Sequence, residues 1–276
     1  MVLTFKEMIN KRVVLLGILL TVLFVVFYGI GLHFVLQAPE LKKGTSTFLA
    51  QQAGFQMLTL GLFCCMFLVG AMAVLVGSGS ISREVETGTI LNLVSRPLGR
   101  PAIVAGKYLA SAVLSLVYSV MLFGSVEALA IYLFHLKINP ASIICGLLFF
   151  SLLPLTILSV TTYCSTVLST LAAGVIGFML LALAIIGGFI EQIGAFIHSS
   201  AMVKAGVVTS LLMPTDAVYR LAINQLLSSV PSASIQLGLT PFGVVSLPST
   251  GMIVYILIYV LLFLVLAIRG FSNRDL

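Results

Sequence analysis

The sequence predicts an all-α polytopic membrane protein that crosses the bilayer as six helices. The first observation is composition: 60% of the 276 residues are hydrophobic, 8% are charged and the mean hydropathy is +1.22. A soluble domain carries about a quarter charged residues, so a water-soluble enzyme and a disordered chain are both excluded. The second observation is the distribution of charge. No Asp, Glu, Lys or Arg occurs in residues 13–39, 44–82, 138–190 or 221–268.

Each of these charge-free stretches is longer than the roughly 20 apolar residues that a helix needs to cross a bilayer. A transmembrane barrel would instead show alternating segments of about 10 residues. The stretch 138–190 would be about 80 Å long as one helix, so it must hold two spans, separated by a turn of Ser and Thr near residues 165–170. The predicted spans are residues 13–36, 55–79, 103–134, 142–165, 171–190 and 251–269.

The N-terminus resembles a signal peptide only in its basic residues. The apolar run that follows is too long for a signal-peptide core and no small-residue cleavage site ends it, which predicts an uncleaved first span. Pro154 is expected to kink the fourth span, and the glycines of the fifth span, such as Gly187 and Gly188, are expected to permit close helix contact.

The distribution of cations predicts the orientation. Nine of the 14 Lys and Arg residues fall in the two terminal segments and in residues 80–107, while five fall on the opposite side. Two of those five lie in the long segment 191–248, where the positive-inside rule is weak. Both termini and the loop 80–101 are therefore expected in the cytoplasm, with residues 191–248 extracytoplasmic.

The loop 80–101 is the most structured polar stretch of the sequence. Ser82 is expected to cap a short amphipathic helix, with Glu84 and Glu86 in its first turns where the helix dipole favours anions. Pro97 should stop that helix, and Pro101 suits the first turn of the third span. From these residues alone the loop is either an interfacial connector or a lever that moves the two spans attached to it.

The spacing of this loop resembles that of ABC-2-type ABC transporter permeases. Glu84 is followed by Gly88 and Thr89, then by Leu93, Pro97 and Arg100, and Gly106 and Lys107 open the next span. Three weaker similarities agree: residues 5–12 ahead of the first span, the proline-led segment 214–220, and the C-terminal residues 271–276.

The resemblance implies a six-span permease of the ABC-2 (type V exporter-like) fold in the cell membrane, paired with a second permease copy or a related chain. Two copies of a cytosolic ATPase subunit would bind ATP and Mg, so this chain would hold no cofactor. Residues 1–12 would form an elbow along the membrane, and the loop would be a coupling helix. The implied coupling residues are Arg83, Glu84, Glu86, Gly88, Thr89, Leu93, Pro97, Arg100 and Lys107.

The chain shows no catalytic motif of its own. A P-loop needs G-x-x-x-x-G-K-[ST], but Pro101 stands where the first glycine is required and Tyr108 replaces the hydroxyl residue after Lys107. The four cysteines lie in apolar runs and are interpreted as buried hydrophobes, and the three histidines are too dispersed for a metal site. The positive net charge is explained by orientation in the membrane, and no nucleic acid partner is expected.

Glu127 is the one carboxylate well inside a predicted span, which makes it a candidate proton or cation site. It also lies seven residues from Phe134, the predicted outer end, so snorkelling or water access is an alternative explanation.

Residues 191–248 are too weakly apolar at their centre to predict a span. A helix beginning at Pro214 or Thr215 would place Val218, Leu221, Ala222 and Leu226 on one face. This helix is expected to lie at the outer interface, and the alternative is a re-entrant element that closes an outer gate.

Three classes of function remain open from the sequence. The first is the permease subunit of an ABC exporter, or a variant that transmits mechanical work to an extracytoplasmic partner through residues 191–248. The second is a secondary transporter or channel that uses Glu127. A membrane-embedded enzyme is disfavoured, because no cluster of carboxylates or histidines at ligand spacing occurs in the sequence.

Overall fold

The computed structural model describes residues 12–37, 47–89, 99–228, 246, 248–249 and 251–272. These residues form helices joined by short turns, and the described part of the chain contains no strand, which confirms the all-α prediction. In chain order the helices are α1 (Arg12–Leu36), α2 (Thr47–Ser78), α3 (Ser82–Glu86), α4 (Arg100–Phe134), α5 (Pro140–Val167), α6 (Thr170–Phe196), α7 (Ser200–Leu212), α8 (Thr215–Leu227) and α9 (Gly251–Ser272).

Six helices in these ranges are long and apolar enough to cross a membrane: α1, α2, α4, α5, α6 and α9. Their number agrees with the sequence prediction. Some helices are longer than the apolar runs that predicted them, because helical hydrogen bonds continue into polar flanking residues where hydropathy has already fallen. Residues 1–11, which hold most of the predicted elbow, lie outside the described residues.

The core is formed where α2, α4 and α5 meet. Phe123 of α4 and Phe150 of α5 are fully buried with ring centroids 5.3 Å apart, and Leu58 and Leu62 of α2 are also buried. The helix α1 packs on α2 and α4 and leaves most of its apolar side chains exposed. Side chains that are apolar and exposed on a membrane helix are suited to lipid or to a second chain.

The turn between α5 and α6 consists of Leu168 and Ser169, within the stretch that the sequence indicated. Ser169 caps α6, since its side chain accepts a hydrogen bond from the amide of Ala172 at 3.4 Å. At the opposite end of α5, Asn139 accepts from the amide of Ala141 at 3.1 Å, ahead of Pro140 in the first turn. Helix α5 continues through Pro154, which is buried.

The helices α7 and α8 form a broken pair, bent by 103°. Helix α7 returns along α6, with Gly206 against Glu191 and Thr209 against Gly187. Gly187 lies nine residues before the end of α6, so α7 reaches about 14 Å back along it. Helix α8 then packs on α5, where Gly146 lies against Leu226.

The expected interfacial position of the helix after Pro214 is wrong. Ten of the 13 residues of α8 are buried, including the charged Asp216 and Arg220. A helix lying on a membrane surface would keep such groups in water. The bent pair fits either the alternative, a re-entrant element, or a broken span. The sequence pattern revealed the apolar face of α8 but not the pairing that allows its polar face to be buried.

Candidate functional site

Helix α3 is the described beginning of the predicted coupling loop, and it is shorter than expected. It ends at Glu86, and Gly88 adopts a positive φ of 71°. This left-handed conformation favours glycine and often ends a helix. The hydroxyl of Thr87 donates to the carbonyl of Arg83 at 2.9 Å and that of Thr89 to the carbonyl of Glu84 at 3.4 Å. Gly88 and Thr89 of the motif are thus the residues that terminate α3.

The predicted N-cap role of Ser82 is also wrong. Ile81 occupies the N-cap, and the hydroxyl of Ser82 donates to the carbonyl of Ser78 at 2.6 Å. The amides of Ile81 and Ser82 donate instead to the hydroxyl oxygen of Ser165, at 3.0 and 2.9 Å. Helix α3 is therefore capped by a side chain from the end of α5, which joins two elements that are distant in sequence.

Lys107 joins α3 to the first turns of α4. Its side chain is buried, forms an ion pair with Glu84 and donates to the carbonyl of Ser80 at 3.1 Å. A buried ammonium group is costly unless it is paired and hydrogen-bonded, and these two contacts meet that requirement. Glu84 remains half-buried, with 20% of its side chain exposed.

Glu86 joins α3 to the start of α6. Its carboxylate accepts a hydrogen bond from the amide of Thr170 at 2.7 Å and another from the hydroxyl of Thr170 at 3.0 Å. A carboxylate at a helix N-terminus satisfies an unpaired amide and interacts favourably with the helix dipole. The hydroxyls of Ser82 and Thr170 are also hydrogen-bonded, at 2.8 Å.

Helix α9 is attached to the same end of the bundle. The guanidinium of Arg100 donates to the carbonyl of Ser272 at 2.8 Å. Val85 packs on a small apolar cluster below α3, formed by Ile81, Val104, Ala267 and Phe271. We call the polar contacts of α3 the α3 clamp, comprising Ser80, Ser82, Glu84, Glu86, Lys107, Ser165 and Thr170.

The structure brings together only part of the residue set implied by the resemblance. Glu84, Glu86 and Lys107 meet in the clamp, and Arg100 lies beside it. Arg83, Gly88 and Thr89 are exposed around α3. Leu93 and Pro97 lie outside the described residues.

Glu127 does not belong to this group, since 20 residues of α4, about 30 Å of helix, separate it from Lys107. The residue is 3% exposed, so the snorkelling explanation is wrong. Neither of its carboxylate oxygens has a hydrogen-bond partner among the described residues. It is also not the one carboxylate within a span, because Glu191 is part of α6.

A second polar centre lies at the opposite end of the bundle, around Arg220. The guanidinium of Arg220 donates two hydrogen bonds to Glu191, at 2.5 and 2.8 Å, and its Nε forms an ion pair with Asp216 at 2.8 Å. Ser246 donates from its hydroxyl to Glu191 at 2.7 Å and accepts at its carbonyl from Arg220 at 3.1 Å. Ser210 lies within 3.5 Å of both Glu191 and Arg220. We call these five residues the Arg220 cluster.

Close packing surrounds the Arg220 cluster. A Cβ atom at Gly206 would overlap the backbone of Glu191, and one at Gly188 would overlap the carboxylate of Asp216. At the tip of α7, the hydroxyls of Tyr255 and Tyr259 donate to the carbonyls of Leu211 and Leu212 at 2.5 and 2.7 Å. These bonds satisfy carbonyls that the helix end leaves free. Helices α6, α7 and α8 are therefore fastened into one unit.

The sequence analysis missed two groups of these residues, the α5–α6 residues of the α3 clamp and the Arg220 cluster. Ser165 and Thr170 carry no charge and were used only to predict the turn between two spans. The Arg220 cluster did leave a signal, since Asp216 and Arg220 are spaced i,i+4 and Glu191 directly follows an apolar run. The partners of Arg220 could have been proposed from that spacing.

The fold and these two centres define a polytopic helical membrane protein with a short helix clamped at one end of the bundle and a sharply bent helix pair at the other. A family model described as ABC-2 family transporter protein matches residues 1–276, the whole chain. The chain belongs to the ABC-2 family, which confirms the resemblance found in the sequence. This family consists of membrane subunits of ABC transporters that usually have no catalytic activity themselves. No curated protein matches the chain.

Proposed function

We propose that this protein is the permease subunit of an ABC exporter, driven by a separate cytosolic ATPase that docks on residues 80–101. The complex would contain two permease copies and two ATPase copies in the cell membrane, with ATP and Mg bound by the ATPase. Both permease termini and the α3 clamp would face the cytoplasm. The α3 clamp is the observation that carries this proposal.

The clamp supports coupling because it joins one short helix to several long ones. Polar contacts run from α3 to α4 through Lys107, to α5 through Ser165 and to α6 through Thr170. Helix α3 also continues from α2 after a three-residue break. A partner that displaces α3 would therefore move the ends of four spans together, whereas a simple connector needs none of these bonds.

The α3 surface offers a direct test, because Arg83 is exposed and its substitution leaves the clamp intact. The tagged permease is purified from its native membrane, and co-purification of a P-loop ATPase and ATP turnover are measured for the wild type and for Arg83→Glu. We expect the charge reversal to weaken ATPase association and to lower ATP turnover. Lys204→Glu reverses an equally exposed charge on α7 and should change neither.

Two results would contradict the proposal. One is a wild-type permease that transports without any ATPase partner. The other is an Arg83→Glu variant that keeps full association while Lys204→Glu loses it, since this would place the ATPase at the α7 end.

A mechanotransmission role is the second candidate, and the fastening of α7 and α8 to α6 favours it. Displacement of α6 by the α3 clamp would carry the bent pair, and α7 exposes Val207, Val208 and Leu212 at its surface. Cross-linking from a cysteine introduced at Lys204 tests this role. Capture of the same extracytoplasmic protein only during ATP turnover would favour mechanotransmission over export.

A further inference from the structure

Glu127 differs from the other carboxylates in the described ranges. Glu84 pairs with Lys107, Glu86 accepts two hydrogen bonds from Thr170, and Glu191 and Asp216 share Arg220. Glu127 is as buried as Glu191, yet both of its oxygens lack a hydrogen-bond partner within that part of the chain. It is thus a buried acid to which the bundle supplies no counter-charge.

An ionised carboxylate in this position is costly, because the penalty for removing a charge from water is several kcal/mol unless a partner offsets it. Acidic residues inside membrane helices are rare for this reason and commonly belong to substrate or ion pathways. The ionised form of Glu127 therefore requires a counter-charge from outside the described bundle, and without one the carboxyl stays neutral. A metal ion would require several further oxygen ligands, and no group of three His, Cys, Asp or Glu side chains suited to a metal occurs in the described residues.

The helix surface next to Glu127 is open. Helical side chains lean toward the N-terminus, so Glu127 lies over the turn that contains Gly124. Gly124 and Ala128 are exposed, and a Cβ atom built at Gly124 meets nothing within 4 Å. Met121 and Tyr132, on the same helix, are 62% and 77% exposed. Small exposed residues flanked by large apolar side chains therefore form a notch in the surface of α4, within one helical turn of the buried carboxylate.

From this geometry we infer that Glu127 is the binding site for the cationic head group of an amphiphilic molecule that enters over Gly124 and Ala128. The positive head group pairs with the carboxylate, and the apolar tail lies along the exposed face of α4 near Met121. Glu127 lies about 10 Å of helix from Phe134, a depth that an amphiphile reaches from the bilayer more readily than a hydrated ion does. Cationic amphiphiles would be the cargo class of the proposed exporter, and this role rests on the proposed function. Binding of such a molecule at Glu127 does not depend on that function.

The inference is tested by binding to the purified full-length permease in phosphatidylcholine nanodiscs, with radiolabelled dodecyltrimethylammonium as the probe and empty nanodiscs as the blank. We expect saturable binding to the wild type. The isosteric Glu127→Gln change should weaken it at least about thirtyfold, as expected when one partner of a buried charge pair is removed. Glu127→Asp retains the charge and should retain part of the binding.

A second variant tests the route without altering the carboxylate. Gly124→Leu fills the notch, and its side chain enters open space, so the fold should be unaffected. We expect it to abolish probe binding. Gly31→Leu on α1 is the matched control, since Gly31 is exposed and equally open, and it should bind as the wild type does. Circular dichroism and size-exclusion profiles of each variant report folding.

Equal saturable binding to the wild type and Glu127→Gln would overturn the inference, as would a Gly124→Leu variant that binds normally. No saturable binding to the wild type would also overturn it. These outcomes are independent of the ATPase, because the assay contains only the permease. Failure of ATPase docking on α3 would instead disprove the proposed function and leave the binding result unchanged.

Discussion

Different kinds of contact join the helices at the two ends of the bundle. The α3 clamp links helix ends through hydroxyls, backbone amides and a Glu84–Lys107 pair that is partly open to water. The Arg220 cluster links α6, α7 and α8 through charges whose side chains are 2–8% exposed. The exposed hydrogen bonds between Glu86 and Thr170 can exchange with water when they break, whereas the buried ion pairs of the Arg220 cluster cannot. The α3 end is therefore the more exposed of the two, and it is the end that the proposed function requires to be displaced.

Glycines near the two ends also differ in packing, although Gly77 and Gly270 near the α3 end are tightly packed as well. Gly187, Gly188 and Gly206 lie in tight contact around the Arg220 cluster, where added atoms would overlap neighbouring helices. At the α3 end, Gly88 and Gly106 have open space beside them. Substitutions should therefore reduce stability at the Arg220 cluster and reduce coupling at the α3 clamp.

The largest expected effect on stability follows from Arg220→Met. This change leaves Glu191 and Asp216 buried without a counter-charge, which typically costs about 3–5 kcal/mol of unfolding free energy. Unfolding by SDS, followed by circular dichroism, measures the loss. The exposed Lys204→Met on α7 removes one positive charge without burial and should change stability by less than about 0.5 kcal/mol. Equal effects of the two substitutions would show that the cluster does not fix the bent pair.

Next comes Gly206→Ala, which inserts a methyl group against the backbone of Glu191. Overpacking of this kind costs about 1–3 kcal/mol, and separation of α6 from α7 would also weaken the Arg220 cluster. Gly31→Ala in the open face of α1 is the control, and should be neutral or slightly stabilising because Ala has the higher helix propensity. The same unfolding experiment compares the two, and a neutral Gly206→Ala would mean that the close contact is not required.

A smaller stability effect but a larger functional one is expected for Gly88→Ala. A side chain at a positive φ costs about 1–2 kcal/mol, and this strain can be relieved by local rearrangement of the end of α3. Coupled ATP turnover should fall well below that of Gly106→Ala, a control glycine with open space and no positive φ. Unchanged ATP turnover would show that the left-handed conformation of Gly88 at the end of α3 is not required for coupling.

The smallest expected effect is that of Glu86→Gln. The amide oxygen of Gln still accepts a hydrogen bond from the backbone amide of Thr170, while its NH₂ group can only donate to the Thr170 hydroxyl. The charge at the start of α6 is lost, which costs about 0.3–1 kcal/mol. Thermal unfolding at low and high salt measures this difference, which should shrink as salt screens the charge. A salt-independent loss would indicate that Glu86 acts through its hydrogen-bond geometry alone.

The six spans could be predicted from the sequence because an apolar helix carries its signal locally. Charge-free runs located five of the six, and length alone required the turn near Ser169. The third span is apolar but contains Lys107 and Glu127, so it is not charge-free. The motif of residues 84–107 identified the family, since its spacing is retained in the linear sequence.

The contacts within the two centres could not be predicted in the same way. Ser165 caps a helix that begins more than 80 residues earlier, and nothing in its local sequence indicates this partner. The sequence predicts helix α8 at an interface because the segment 191–248, which contains Asp216 and Arg220, is too weakly apolar at its centre for a span. Only the position of Glu191 in three dimensions explains why they are buried. Contacts between polar residues that are distant in the sequence could therefore not be predicted from the local sequence pattern.

The central claim, that the α3 clamp transmits motion without holding the fold together, is tested most directly by the double variant Glu84→Gln/Lys107→Met. This change removes both charges of the pair at once, so neither partner is left as an unpaired buried ion. ATP turnover is measured in the reconstituted complex with its ATPase, alongside the unfolding free energy. We predict loss of most substrate-coupled turnover with a stability change of about 1 kcal/mol or less. Full coupled turnover, or unfolding of the permease without any separate coupling defect, would contradict the claim.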